Sequence, residues 1–340
     1  GEDATEVSGP SGLFSSSLTN LEMALIADFS LAYFNTDNPL QLGSHDPSHR
    51  GFNLDQLEWH VESKVDHYFE LQANIIFMEF EVEVEELYAR TLSLPASLQM
   101  RVGQFLLPFG RFNQTHPHSR RFADQNLVVG KFLGSEGGRG LGVEGSWLAP
   151  LPWFAQLAVA VNQPAGECCA RSFVVKPGLD ENVDDTDEHA GHEDEQSGHG
   201  DEELAHDEHN HGSDPSIDGL EDFLYTMRLE QFFEGGRDWG ILLGSSYIVG
   251  ENKTGSGRVS HLIGADLFVK YRPVDSQDRF FTTLQLEWMH RQRDLPQGNL
   301  NDYGGYLELV LGYEYTWEMG ARVEWVEGLK GDPLDVEWSK

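Results

Sequence analysis

The feature that most constrains this chain is a period of two in its hydropathy, carried through segments too long for ordinary soluble strands. In residues 21 to 33, Leu21, Met23, Leu25, Ala27, Phe29, Leu31 and Tyr33 fall on one face, and Glu22, Asp28 and Ser30 on the other. Successive strand side chains point to opposite sides, so this is a strand with one apolar face rather than a helix. The alternation returns in Leu57, Trp59 and Val61 against Glu58, His60 and Glu62, and in Phe69 to Phe77. It recurs in Trp153 to Val161, in Phe280 to Trp288 and in Trp317 to Trp325. Strands of soluble proteins average about five or six residues, whereas several of these reach ten or more. Trp153, Trp288, Tyr313, Trp317 and Trp325 sit at the ends of the apolar faces, as rings at two membrane interfaces would. The expected fold class is all-β, a transmembrane antiparallel β-barrel.

Thirteen strands are expected, near 21–34, 53–64, 67–80, 83–93, 98–106, 138–148, 152–162, 221–233, 237–249, 258–271, 279–291, 302–314 and 316–327. Their connections alternate between short and long, as periplasmic turns and external loops do in outer-membrane barrels. "KVDH", "PAS", "APL", "EGGR" and "RPVDSQD" are short, while 107–137 and 163–220 are long. Only the third-to-fourth connection, around "FEVEV", breaks the pattern. Residues 1–20 then form a periplasmic amino-terminal segment, 21–340 the barrel, and the long connections face the cell exterior. The chain begins at Gly1 without Met or an apolar leader, which reads as a mature exported form. Thirteen is odd, and single-chain bacterial barrels have even strand numbers. The expectation is therefore a complete barrel with three further strands, sixteen in all.

Net charge is −34, but sixteen acidic residues and no Lys or Arg lie between Asp180 and Asp218. No clustered cations are present, so nucleic acid is excluded as a partner. Outer-membrane lipid and small solutes or metal ions are the expected partners. No nucleophile elbow, phosphate-binding glycine loop or zinc hydrolase motif occurs, so the chain reads as a non-enzyme. A barrel phospholipase or protease is the minor enzymatic alternative. A second alternative is a non-conducting outer-membrane barrel that acts as a surface metal binder or assembly partner.

The segment "LQMRVGQFLLPFGRFNQTHPH", residues 98–118, resembles the porin group that includes the phosphate-selective porins and their outer-membrane relatives. Gly103, Phe105, Pro108, Phe109 and Gly110 carry the resemblance. It implies sixteen strands, with the loop after the fifth strand folded inward to narrow a pore; a single pore and a homotrimer are both open. Arg111, His116, His118, Arg120 and Arg121 then lie at the constriction. One departure concerns charge, because anion-selective members line their pore with Lys and Arg. The inferred lumen faces here carry Glu22, Asp28, Glu58, Glu62, Glu70, Glu86, Glu230, Asp266, Glu287, Glu308, Glu314, Glu318 and Glu324. Against these thirteen stand six cations, Arg90, Arg101, Arg228, Lys270, Arg291 and Arg322. Carboxylate rings favour cations, so a cation-leaning channel is expected.

His189, His192, His199, His206, His209 and His211 are interleaved with carboxylates in the second long connection. Imidazole and carboxylate are ligands for Zn²⁺ and other divalent transition metals, so metal binding is expected there, weakening below about pH 6 as imidazole protonates. His116 and His118 either relay metal toward the pore or are ordinary loop polarity. His60 and His290 carry no assigned role. For the adjacent Cys168 and Cys169, a bridge to one another, a pair of metal ligands and a link to another chain all remain open.

Overall fold

The computed structural model describes residues 21–35, 43–47, 49–78, 82–173, 217, 219–252, 254–276, 279–314 and 316–327. Among these are thirteen strands: β1 (Leu21–Ala32), β2 (Gly51–Lys64), β3 (Phe69–Phe77), β4 (Val82–Thr91), β5 (Leu98–Leu106), β6 (Arg139–Leu148) and β7 (Phe154–Asn162), followed by β8 (Leu224–Gly235), β9 (Trp239–Glu251), β10 (Val259–Tyr271), β11 (Phe280–Leu295), β12 (Gly298–Tyr313) and β13 (Trp317–Val326). They form one sheet in sequence order, each antiparallel to the next, with β1 and β13 at the two ends of that order. The expected β-barrel class stands, and β5 has the expected limits.

One expected connection is corrected. Residues 292–301 read as an open loop, but β11 and β12 continue their ladder to Leu295 opposite Gly298. Their alternation persists there, with Arg291 and Arg293 buried on the inner face, so the hairpin extends to a two-residue turn.

The outer face is apolar. Leu25 is 68% exposed, Phe29 75% and Met319 75%, values that only a lipid environment makes favourable over so many strands. Aromatic rings mark two levels on this face. Trp239 meets Tyr271 at the end of the short turns, and Trp288 meets Tyr303 at the end of the long connections. These are the interfacial positions of amphipathic rings.

The inner face is closed on one side by a dry core. Leu107, Phe109, Phe112, Val128, Val129, Phe132 and Leu133, all between β5 and β6, pack against Leu224, Ile248, Leu262, Met289 and Tyr306 of β8 to β12. Each large side chain so buried contributes about 1.5–3 kcal/mol, so the loop after β5 is held as firmly as a globular core. The sequence gives no strand period here. The structure forms α1 (Leu127–Phe132) instead, capped by the Asn126 side chain, which accepts from the Val128 and Val129 amides. Two register shifts, between β1 and β2 at Asp28/Phe29 and between β3 and β4 at Asn74/Ile75, interrupt the ladders.

Candidate functional site

The loop after β5 crosses the barrel interior and is fixed to strands all round it. Its first turn passes through Gly110, with φ at +61°, and the Gly110 amide donates to Ser246 Oγ at 3.0 Å. The Arg111 and Phe112 amides both donate to Glu287 Oε1, at 2.8 and 2.6 Å. Glu287 on β11 thus satisfies two amides that would otherwise be unpaired inside the barrel. Further on, Arg121 donates to both Glu318 oxygens at 2.5 Å, Arg322 to Asp124 at 2.6 Å, and the Leu127 amide to Glu324 at 2.6 Å. These contacts tie the loop to β13. Lys131 then pairs with Asp302 of β12 at 3.3 Å, and Glu136 with His45 of the β1–β2 connection at 3.1 Å.

On the opposite wall the loop meets a cluster of imidazoles and carboxylates. The β3–β4 register shift pairs Asn74 with Glu86 and Ile75 with Val84, leaving Glu85 as the extra residue. A bulge of this kind re-aims a side chain, so the adjacent Glu85 and Glu86 are both buried on the inner side. His116 lies between them, with Nδ1 3.0 Å from Glu85 and Nε2 3.1 Å from Glu86. Burial opposes its charge, but the two carboxylates outweigh that cost and raise its pKa to about 10. His118 stacks on His116 with ring centres 5.8 Å apart and meets Glu58 of β2 at 2.6 Å. His60, which carried no role in the sequence, joins the cluster through Asn74 at 2.5 Å. Burial likewise works against a charge on His45, but Glu136 raises its pKa overall.

Two cavities flank the loop. One, of about 310 Å³, opens toward the long connections and is lined by Asp28, Asp46, Asp55, His45, His118 and Gln125 among others. The second, of about 270 Å³, lies toward the short turns and is lined by Arg111, Thr115, Ser119, Lys270, Thr283, Gln285 and Glu308 among others. Arg120 and Arg121 line both. The expected constriction residues are therefore together in space, four of the five bordering a cavity and His116 anchoring the loop.

The inferred lumen charges lie on the inner face, though most are engaged. Arg90 pairs with Glu70, and Arg101 with Glu144 at 2.6 Å. Arg228 binds Asp266 at 2.6 Å and Glu230 at 2.9 Å, while Arg291 binds Asp302 at 2.8 Å. Arg322 lies 3.8 Å from Glu308 and also contacts Glu324. Glu62 and Lys270 also stand on the inner side. Glu314 is a correction, since β12 ends at Tyr313 and Glu314 sits in the following turn with φ at +52°. Sequence reasoning missed Asp55, Glu85 and Asp302. The first two leave the alternation at bulges, and Asp302 lies in a stretch read as the strand's edge. Cys168 and Cys169 are joined to each other by a disulfide. The six histidines His189, His192, His199, His206, His209 and His211 lie outside the described residues. Among the described residues no group of three or more His, Cys, Asp or Glu side chains is arranged to hold a metal ion.

No protein-family model matches the chain. An uncharacterized protein of Aquifex aeolicus (strain VF5) is 46% identical over 118 residues, which cover 35% of this chain and 25% of that protein's length. Among solved structures, OmpT, an outer membrane protein of Vibrio cholerae, aligns with a TM-score of 0.42 and 10% identity over 91% of this chain and 85% of that one. Its loop L8 deletion mutant aligns with a TM-score of 0.42 and 9% identity over 92% and 93%. The expectation of a non-enzyme is withdrawn as a correction. It rested on missing linear motifs, but the fold brings imidazole and carboxylates together from β2, β3, β4 and the loop, the residue types that acid–base chemistry uses. The chain's own thirteen antiparallel strands in one sheet, apolar outward and charged inward, are the architecture of a transmembrane β-barrel.

Proposed function

We propose that the protein is a passive diffusion channel for small polar solutes in the outer membrane of a Gram-negative bacterium, with its amino terminus in the periplasm. The observation that carries this reading is the pair of cavities flanking the loop after β5, with Arg120 and Arg121 bordering both. Pores take their selectivity from the polar groups at such a crossing point. The inner wall as a whole is richer in carboxylates than in cations, and Arg121 is neutralised by Glu318. That balance favours a moderate preference for cations over anions.

The acidic, His-rich connection fits the same reading as an external segment that gathers Zn²⁺ or a related divalent ion and raises its concentration at the pore mouth. Reconstitution of the full chain into planar bilayers tests the channel. Discrete conductance steps are expected, with a reversal potential in a KCl gradient that favours K⁺. Folded protein that gives no steps would refute the channel and favour a non-conducting barrel that acts as a surface metal binder or assembly partner.

A further inference from the structure

The two cavities differ in the sign of the charge they leave uncompensated. Toward the long connections, Asp28 accepts from Gln56 at 2.7 Å and Asp55 from the Ser30 hydroxyl at 3.1 Å, both neutral donors. The β1–β2 register shift makes this pair possible, because it adds Asp55 to the inner face beside Gln56. Toward the short turns cations predominate, beside one carboxylate, Glu308, which Arg322 approaches at 3.8 Å. Arg111 donates to the Gln285 amide oxygen at 3.2 Å and lies over the Phe268 ring at 4.0 Å. Lys270 is exposed in the same cavity. Between them, Arg120 donates to the Thr115 carbonyl at 3.1 Å and to the Gln125 amide oxygen at 2.5 Å. Its charge faces both cavities and makes its hydrogen bonds to neutral oxygens, while Glu85, Asp46 and Glu136 act on it through their fields alone.

We propose that the solute favoured by this channel is a small zwitterion of amino-acid size, which turns its ammonium group to Asp28 and Asp55 and its carboxylate to Arg120, then to Arg111 and Lys270. The inference rests on the channel reading and names its substrate class. A simple cation is attracted by the first cavity and repelled at the arginines. A simple anion meets the opposite sequence. A neutral solute gains nothing from either field, whereas a zwitterion finds a matching charge at each stage by reorienting. The inner wall exchanges water for fixed charges of both signs, so the preference needs no tight site.

Swelling of liposomes that contain the full chain tests this, with L-serine as the zwitterion and erythritol as a neutral solute of similar size. L-serine is expected to enter several-fold faster than erythritol. In Asp28→Asn/Asp55→Asn and in Lys270→Gln proteins, the ratio of the two rates is expected to fall toward unity. Erythritol entry without a serine preference overturns the zwitterion assignment and leaves the channel standing, as does a preference that survives both substitutions. Entry of neither solute overturns the channel and this inference with it.

Discussion

At Gly110 two demands meet that only glycine satisfies together. Its φ of +61° is costly for a side-chain-bearing residue, and a Cβ there would stand 2.7 Å from Glu287 Oε2. Its neighbour Phe109 is fully buried because Gly264 of β10 leaves room for the ring, where a Cβ would come within 2.7 Å of it. The "GQFLLPFG" stretch is thus an entry into the barrel interior, in which each residue type answers to a particular opposite strand. Gly110→Ala is expected to cost about 1–3 kcal/mol through the strained backbone, with Glu287 displaced from the Arg111 and Phe112 amides. Denaturant unfolding in detergent micelles measures this, and an unchanged midpoint would count against the role given to Gly110.

The β3–β4 hairpin and the loop after β5 act as one clasp. The bulge supplies two adjacent carboxylates, and His116 supplies a cation with a nitrogen for each. Removing one partner of a buried, hydrogen-bonded charge group leaves the others uncompensated, so His116→Ala is expected to cost on the order of 3 kcal/mol at neutral pH. The pH dependence follows from the direction of the shift. His116 has its pKa raised from 6.5 to about 10 in the fold, so its contribution is complete below about pH 6.5 and is lost as pH rises through 10. The stability difference between the native chain and His116→Ala should therefore shrink steadily over that interval, followed by denaturant unfolding at several pH values. A difference that stays constant from pH 6.5 to 10 would mean the ring acts by packing alone.

Across the whole molecule, charge is separated by compartment. The barrel wall presents apolar side chains outward and paired ions inward, while residues 180–218, between β7 and β8, hold sixteen acidic residues and six of the fourteen histidines. Because those histidines fall in sequence between the end of β7 and the start of β8, His→Ala at all six is expected to abolish Zn²⁺ binding and leave barrel stability unchanged. Titration calorimetry reads the binding, which should also weaken below about pH 6 as imidazole protonates. Undiminished binding by that variant would move the site to other residues of the chain.

The sequence by itself determined the strands, because a period of two in hydropathy is a local signal that follows directly from the pleat. Within the regular ladders it pointed to charges on the inner side for the same reason, and Arg228, Asp266, Glu287 and Arg291 are buried there. It also marked Gly103 to Gly110 as the start of an unusual loop. Only the tertiary structure decided what that loop does. Its anchors Glu287, Glu318 and Glu324 are more than 170 residues away in the chain, and no local pattern encodes a partner at that distance. The bulges were equally hidden. A single extra residue at Asp55 or Glu85 reverses the side on which alternation places it, so the carboxylates that hold His116 and line the cavity at the long connections depend on how two strands align and not on the pattern within either.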